Sequence, residues 1–201
     1  MVWNTQKETT KFHGVKTMVK ITTLFKKDQS NLGRVINKIA PENKWVLSEP
    51  KMNTRQFDGT ACAIIKGELH KRFDAKPGRK IPTGAIPCQE PDSTTGHHPH
   101  WVKCNRDDSS DKYHFEAFDK YPRTYEDETL ELCGEKINNN REKIKGHVLI
   151  KHGQYLLGNI DLTFEGIREF LQNNDIEGIV FHEIYGSRMC KIRKSDFGIK
   201  R

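Results

Sequence analysis

Four short segments, which follow one another in a fixed order along the chain, contain residue types suited to chemistry on a phosphate group. The cations Lys191, Arg193 and Lys194 can neutralise the charge that shifts between phosphoryl oxygens when a phosphate is transferred. The carboxylates Glu131 and Glu177 can hold a metal ion or its water shell and can fix a ribose. Together the segments predict the transfer of a nucleoside monophosphate. They are residues 56–59, 130–134, 177–181 and 191–194.

Each segment also has an ordinary interpretation when it is taken alone. Asp-Gly and Glu-Gly, at residues 58–59 and 177–178, are common turn dipeptides. The basic run at 191–194 suits a solvated strand end, and the charged run at 141–145 indicates a solvated turn. The order of the four segments, each on or beside a predicted strand, favours the chemical interpretation.

The hydrophobic pattern predicts a chain rich in strands, with two helices of apolar residues at helical spacing. Residues 73–111 contain five prolines and few apolar runs, which predicts a long irregular insertion. The predicted strands are residues 16–25, 60–71, 113–118 and 129–134, with a hairpin of 177–184 and 188–193. The predicted helices are residues 32–39 and 163–171.

The composition predicts one folded domain, residues 1–201, that binds a polyanion. A chain of 201 residues has the length of a single domain or slightly more. Its net charge of +7 and its isoelectric point of about 9.1 favour nucleic acid as the partner, although a merely basic protein has the same balance. The oligomeric state stays open.

The five cysteines indicate a reducing compartment, because their number is odd and no Cys-x-x-Cys occurs. The first residues lack the apolar run of a signal peptide, and no segment has membrane-spanning length. We therefore expect a cytoplasmic protein without a membrane partner. Three histidines, at 97, 98 and 100, could form a metal site with Cys104. Their close spacing around Pro99 disfavours that interpretation, and a loop beside a nucleotide or RNA is the alternative.

The order of the segments resembles that of the covalent nucleotidyltransferases, which include DNA ligases, RNA ligases and mRNA capping enzymes. The sequence is most similar to the ATP-dependent RNA ligases of the vertebrate 5′-3′ type and to their viral relatives, over about residues 20–198. The resemblance implies an α+β fold, namely a nucleotidyltransferase (ATP-grasp-like ligase adenylyltransferase) core of antiparallel sheets with flanking helices. The chain stops soon after Lys194, so we expect no OB-fold domain, unlike in DNA ligases and capping enzymes. The residues that carry the likeness are 58–60, 86–102, 129–134, 138, 176–182, 191 and 198.

The resemblance also implies roles for the carboxylates and for the segment at 56–59. Position 56 matches the lysine that accepts AMP from ATP in these enzymes. Asp58 steadies that lysine and a metal-bound water, and Gly59 permits close approach of the backbone. Glu131 binds the ribose hydroxyls, and Glu177 holds hydrated Mg²⁺ or Mn²⁺.

The cations receive their roles from the same resemblance. Lys191 contacts the α-phosphate of ATP, with help from Arg193 or Lys194. Arg72 matches a basic position that contacts the ribose or the 5′-phosphate of RNA. In such enzymes AMP passes from the lysine to an RNA 5′-phosphate, and the 3′-hydroxyl of a second RNA end then displaces it. This chemistry repairs broken RNA.

Gln56 is the departure from this pattern, because it occupies the position of the nucleophilic lysine. A lysine nucleophile needs a neutral amine, and an amide nitrogen has no comparable lone pair. Gln56 is either an engineered replacement, which we favour, or the natural residue of a non-catalytic nucleotide- or RNA-binding protein. A capping-type guanylyltransferase is a further alternative, and it would prefer GTP to ATP.

Overall fold

Two β-sheets and a separate two-stranded hairpin dominate the computed structural model, which describes residues 21–92, 95–123 and 126–201. With three short α-helices among these residues, the predicted α+β class is confirmed. The strands are β1 (Thr22–Thr23), β2 (Phe25–Lys27), β3 (Val35–Ile39), β4 (Lys51–Gln56), β5 (Thr60–Ile65), β6 (Glu68–Ala75), β7 (Ile86–Pro87), β8 (His98–Lys103), β9 (Glu128–Gly134), β10 (His147–Lys151), β11 (Gly178–Glu183) and β12 (Met189–Arg193). The helices are α1 (Trp45–Ser48), α2 (Lys112–Phe118) and α3 (Phe164–Asn173).

The larger sheet has six strands in the order β10-β9-β5-β6-β8-β7, and every neighbouring pair is antiparallel. The smaller sheet has the order β1-β12-β11-β4, in which only β1 and β12 run parallel. Strands β2 and β3 pair with each other. The strands of the described ranges form no closed barrel. Since β4 leads directly to β5, the chain passes from one sheet to the other at residues 57–59.

The smaller sheet packs one face against α3. Ile179 of β11 and Ile192 of β12 are fully buried in this core, together with Ile167 and Leu171 of the helix. The hydroxyl of Thr163 accepts a hydrogen bond from the Gly166 amide at 3.0 Å and so caps the helix start. The predicted helix is confirmed. No helix in the described part of the chain is long and apolar enough to cross a bilayer.

The larger sheet is covered on both faces, so its central strands are apolar on both sides. Leu130 and Leu132 of β9 pack with Ala117 of α2 in one core. Ala63 of β5 packs with Trp101 of β8 in a second core on the opposite face. This arrangement explains why residues 61–65 form a continuous buried run rather than an alternating one.

The predicted helix at residues 32–39 is wrong, since its second half is strand β3. Of the apolar positions that suggested a helical face, Leu32 is 67% exposed and Ile36 is 42% exposed, whereas Val35 is buried. The strand pairs with β2 in an antiparallel register that aligns Ile39 with Phe25. Pairing and a β-branched sequence therefore prevailed over the helical spacing.

The predicted strand at residues 113–118 is also wrong, because these residues belong to α2. The carboxylate of Asp108 accepts a hydrogen bond from the Ser110 amide at 2.8 Å and starts a 3₁₀ turn, Ser109–Asp111, that continues into the helix. Phe115, Ala117 and Phe118 then face the larger sheet. Short apolar runs fit both helix and strand spacing, and the turn before this run decided the outcome.

The other sequence predictions agree more closely with the structure. Strand β9 and the β11–β12 hairpin lie where they were predicted, and residues 60–71 form most of the β5–β6 hairpin. Of the predicted strand at 16–25, residues 16–20 lie outside the described residues, and β1 begins at Thr22. The insertion at 73–111 is only partly irregular, because β8 is a full member of the larger sheet.

Candidate functional site

Strand register places three of the four segments side by side on one face of the smaller sheet. Gln56, at the end of β4, lies opposite Gly178 of β11, which lies opposite Arg193 of β12. Two residues along, Val180 lies opposite Lys191. Directly paired residues project from the same face, so Gln56, Arg193 and Lys191 share one surface.

The glycines of the segments stand where the backbone has no room for a side chain. A Cβ atom at Gly178 would lie 2.5 Å from the carbonyl oxygen of Ile192 and 3.0 Å from Oε1 of Gln56. A Cβ atom at Gly59 would overlap the carbonyl oxygen of Leu132 in β9. These glycines let β4, β5, β9 and β11 approach closely, which draws the segments together.

The carboxylates of Asp58 and Glu131 both act on that of Glu177. Burial, followed by the nearby charge of Asp58, raises the pKa of Glu177 to about 7. Glu131 adds to this shift, whereas the cations Arg193 and Lys191 oppose it. Since such effects require proximity, residues from all four segments belong to one electrostatic environment.

A cation from the larger sheet joins them. Burial lowers the pKa of Lys191, and the charge of Arg193 adds to this effect. Arg72 of β6 lowers it further, while Glu177 and Asp196 act in the opposite direction. Arg72 is held by Asp74, whose carboxylate accepts a hydrogen bond from Nε at 3.0 Å. We call Asp58, Arg72, Glu131, Glu177, Lys191 and Arg193 the charge cluster.

The structure thus brings eight of the nine predicted site residues together, and Lys194 is the exception. Lys194 begins the 3₁₀ turn Lys194–Phe197 and is only 7% exposed. Its backbone amide donates to the carbonyl oxygen of Glu177 at 2.9 Å. Lys194 lies after the last residue of β12, so strand register does not place it on the face of Lys191 and Arg193. Of the two cations predicted to assist Lys191, Arg193 is the one that shares its face.

A buried ionic network beneath the site was missed by the sequence analysis. The predicted solvated turn at 141–145 contains Glu142, whose side chain is 2% exposed. One carboxylate oxygen of Glu142 accepts hydrogen bonds from the Asp58 amide and from Arg201, both at 2.7 Å. The other oxygen is bound by Arg55. Burial opposes ionisation of Glu142, but these bonds and charges keep its pKa below the ordinary value.

Asp58 is also held from the side of its carboxylate. Asn138 donates from Nδ2 to Asp58 Oδ1 at 2.9 Å and to the Gly59 carbonyl oxygen at 2.7 Å. Arg141 donates to Asp58 Oδ2 at 3.3 Å. Asn138 adopts a positive φ of 45°, a conformation that asparagine tolerates well. Residues 137–142 therefore form a clamp on the loop that joins β4 to β5.

A histidine contacts the carboxylate of β9. His152 Nε2 lies 2.8 Å from Glu131 Oε2, and the Glu131 side chain is 15% exposed. The residue follows β10, which pairs with β9 and aligns Ile150 with Glu131. The pairing of β9 with β10 brings the two residues together, and they are 21 positions apart in the sequence.

Two buried polar atoms at the site have no hydrogen-bond partner among the described residues. They are Oε1 of Gln56 and Nε of Arg193. Buried polar groups normally have partners, so unsatisfied atoms on this face suit a polar ligand or bound water. The carboxylates of Asp58, Glu131 and Glu177 are the oxygen donors that Mg²⁺ prefers. The residues therefore fit a nucleotide phosphate with a divalent cation.

Comparisons with known proteins add no assignment. The chain matches no protein-family model, and a search of curated proteins finds no significant match.

Replacing Glu177 with glutamine should stabilise the protein above neutral pH. The folded state holds the pKa of Glu177 at about 7, above its ordinary 4.5. The folded protein thus binds more protons than the unfolded chain between these values, so stability falls as the pH rises through them. At about pH 8, Glu177→Gln should raise the free energy of unfolding by about 2–3 kcal/mol.

Urea unfolding of both proteins at about pH 5 and about pH 8 checks this expectation. The difference in free energy should be small at the lower pH and appear at the higher one. Glu165→Gln, a change of a 70% exposed glutamate on α3, is the matched control and should show no such trend. A Glu177→Gln protein that is destabilised at the higher pH would contradict the raised pKa.

Proposed function

We propose that this chain is the adenylyltransferase domain of an ATP-dependent RNA ligase, with Gln56 at the position of the AMP-accepting lysine. The observation that carries the proposal is the convergence of four distant segments on one surface. Strand register puts Gln56, Lys191 and Arg193 on one face, and the charges of Asp58, Glu131 and Lys191 act on Glu177. These residues span more than half of the chain. An incidental set of solvated strand ends would have no reason to meet.

The charge cluster supplies the groups that nucleotidyl transfer requires. Lys191 and Arg193 lie on the face of Gln56 and would bind the α-phosphate, while Arg72, whose charge acts on Lys191, would contact a ribose or an RNA 5′-phosphate. Glu131, held by His152, would accept hydrogen bonds from ribose hydroxyls. Bound Mg²⁺ would supply positive charge at the phosphoryl oxygens.

The carboxylates would hold the metal ion through its water shell. The charge of Asp58 raises the pKa of Glu177, and two carboxylates that act on each other in this way repel until a cation joins them. Binding of a divalent cation would therefore favour the ionised form of Glu177. The Glu142 network and the clamp of residues 137–142 fix the loop that carries Asp58. The Asp58 carboxylate is therefore in place before the ligands bind.

Gln56 would prevent the first step of this activity, the transfer of AMP to the protein, in the present sequence. The amide can accept or donate a hydrogen bond, but it cannot attack phosphorus. Lysine at position 56 would place an amine on the same face as Lys191 and Arg193, whose charges favour its neutral, nucleophilic form. In the reaction the lysine nitrogen would bond to the α-phosphorus, the bond to the bridging oxygen would break, and pyrophosphate would leave.

The test restores that lysine. The Gln56→Lys protein is incubated with ATP labelled in the α-phosphate and with Mg²⁺, then with RNA that carries a 5′-phosphate and an RNA 3′-hydroxyl end. We expect label on the protein, its transfer to the RNA, and sealed product. The chain with Gln56 and a Gln56→Met variant are the matched controls and should stay unlabelled.

Two outcomes would overturn the proposal. A folded Gln56→Lys protein that takes no label from ATP would support the alternative of a non-catalytic nucleotide- or RNA-binding protein, which Gln56 favours if it is the natural residue. Label that comes from GTP in preference to ATP would instead indicate a capping-type guanylyltransferase.

A further inference from the structure

Three metal-ligating side chains meet between β8 and α2. Cys104 directly follows β8, Asp111 ends the 3₁₀ turn, and His114 lies in the first half of α2. One ligand atom from each residue lies within 4.8 Å of the other two. Cys104 and Asp111 are 5% and 1% exposed. We call these residues the Cys104 trio.

The trio is separate from the charge cluster. Lys71 of β6 contacts Asp111, whereas the next residue, Arg72, acts on Lys191. Because consecutive residues of a strand point to opposite faces, the trio and the charge cluster lie on opposite sides of the larger sheet. The phosphate chemistry proposed above therefore does not use the trio.

We propose that the Cys104 trio is a Zn²⁺ site. A thiolate, an imidazole and a carboxylate together are the ligand types that favour zinc over magnesium or calcium. Asp111 and His114 are three residues apart where the 3₁₀ turn passes into α2, so both can point towards the end of β8. Three protein ligands leave a fourth position for water.

The imidazole provides an independent indication of a ligand. Nδ1 of His114 is buried and has no hydrogen-bond partner among the described residues. It lies 3.8 Å from Asp111 Oδ1, which is too far for a hydrogen bond. A bound metal ion would satisfy a buried nitrogen that otherwise has no partner.

Lys71 competes for the same carboxylate. Its Nζ lies 2.5 Å from Asp111 Oδ1, while Oδ2 accepts a hydrogen bond from the Asn105 amide at 2.9 Å. The Lys71 side chain is 28% exposed, so the ammonium can turn into solvent when a metal ion replaces its charge. The second oxygen of Asp111 keeps its bond to Asn105 and fixes the carboxylate as a ligand.

The histidines at 97, 98 and 100 are not part of this site. The rings of His98 and His100 contact each other in a tilted arrangement with centroids 4.2 Å apart, and the His100 Nδ1 lies 2.8 Å from the His98 carbonyl oxygen. Of the metal site considered from the sequence, which combined these histidines with Cys104, the trio contains only Cys104. Its partners come from the residues that follow it rather than those before it.

Cobalt(II) titration of the whole chain tests the site, because a cobalt–thiolate bond gives an absorption band that other ligands do not. We expect one equivalent of Co²⁺ to develop the band and Zn²⁺ to displace it. Cys104→Ser should abolish the band, and His114→Gln should weaken binding by at least about tenfold. Cys190→Ser removes a buried cysteine from the core that packs against α3 and is the matched control, so it should leave the band unchanged.

A lysine variant separates metal binding from a merely structural role of the trio. Lys71→Met leaves Asp111 buried without its ammonium partner, so we expect a lower melting temperature without metal. Zinc should restore that temperature in Lys71→Met and fail to do so when Cys104→Ser is added. A band that survives Cys104→Ser, or titration that shows an adventitious ion only, would overturn the proposal, as would a Lys71→Met protein that zinc does not stabilise.

Discussion

Labelling of the Gln56→Lys protein by ATP is expected to fall at least about 100-fold when Lys191 is replaced by methionine. Lys191 lies on the same face of the smaller sheet as position 56, two residues from Arg193 along β12. Its ammonium is a half-buried cation of the charge cluster and would stabilise the charge that develops on the α-phosphate. Methionine keeps the length and apolar stem of lysine while removing that charge.

The rate of label incorporation at saturating ATP measures this loss, and ATP affinity is measured separately. Lys103→Met is the matched control, since Lys103 is 61% exposed at the end of β8 and pairs with Glu68. It should label at the parent rate. A folded Lys191→Met protein that also labels at the parent rate would remove Lys191 from the reaction.

Glu142→Ala is expected to lower the free energy of unfolding by about 3–5 kcal/mol. The change leaves the guanidinium groups of Arg55 and Arg201 without their shared carboxylate, and the Arg201 side chain is only 6% exposed. It also removes the acceptor of the Asp58 amide. Losing one partner of a buried ion pair is far more harmful than losing an exposed pair, because the remaining charge stays poorly solvated.

Urea unfolding measures this loss, with Asp175→Ala as the control. Asp175 also binds Arg201, at 3.3 Å, but its side chain is 53% exposed. Its replacement should lower the free energy of unfolding by no more than about 1 kcal/mol. If both variants lost the same small amount, the Glu142 network would have no structural importance. Glu142→Gln, which keeps the shape, should fall between them.

The positions of the four segments on or beside strands were predictable from sequence, because these segments contain strong backbone signals. Gly178 begins the apolar run that forms β11, so Glu177 was placed at the correct strand end. Alternation along β12 places Lys191 and Arg193 on one face, whereas Lys194 lies after the strand, in a 3₁₀ turn. Its burial there depends on packing that the local sequence does not reveal.

The supporting residues were not predictable, since their partners are distant in sequence. Glu142 is followed and preceded by charged residues, as in any solvated turn, and its partners Arg55 and Arg201 are 87 and 59 positions away. The helix predicted at 32–39 failed for a similar reason. Local spacing favoured it, but pairing with β2 supplied hydrogen bonds that a local pattern does not reveal.

Each of the three hydrophobic cores contains at least one buried cysteine, whose thiol can report on that core. All five cysteines are free, and burial raises the pKa of Cys88, Cys104 and Cys190 to about 12. A thiol-reactive reagent attacks the thiolate, so modification must wait for local opening. Cys190 lies in the core that packs against α3, and Cys62 and Cys104 lie in the core that packs against α2. Cys88 lies in the core around Trp101. Mass spectrometry of briefly labelled protein would therefore compare how readily each of these regions opens locally, because it measures the extent of modification at each cysteine.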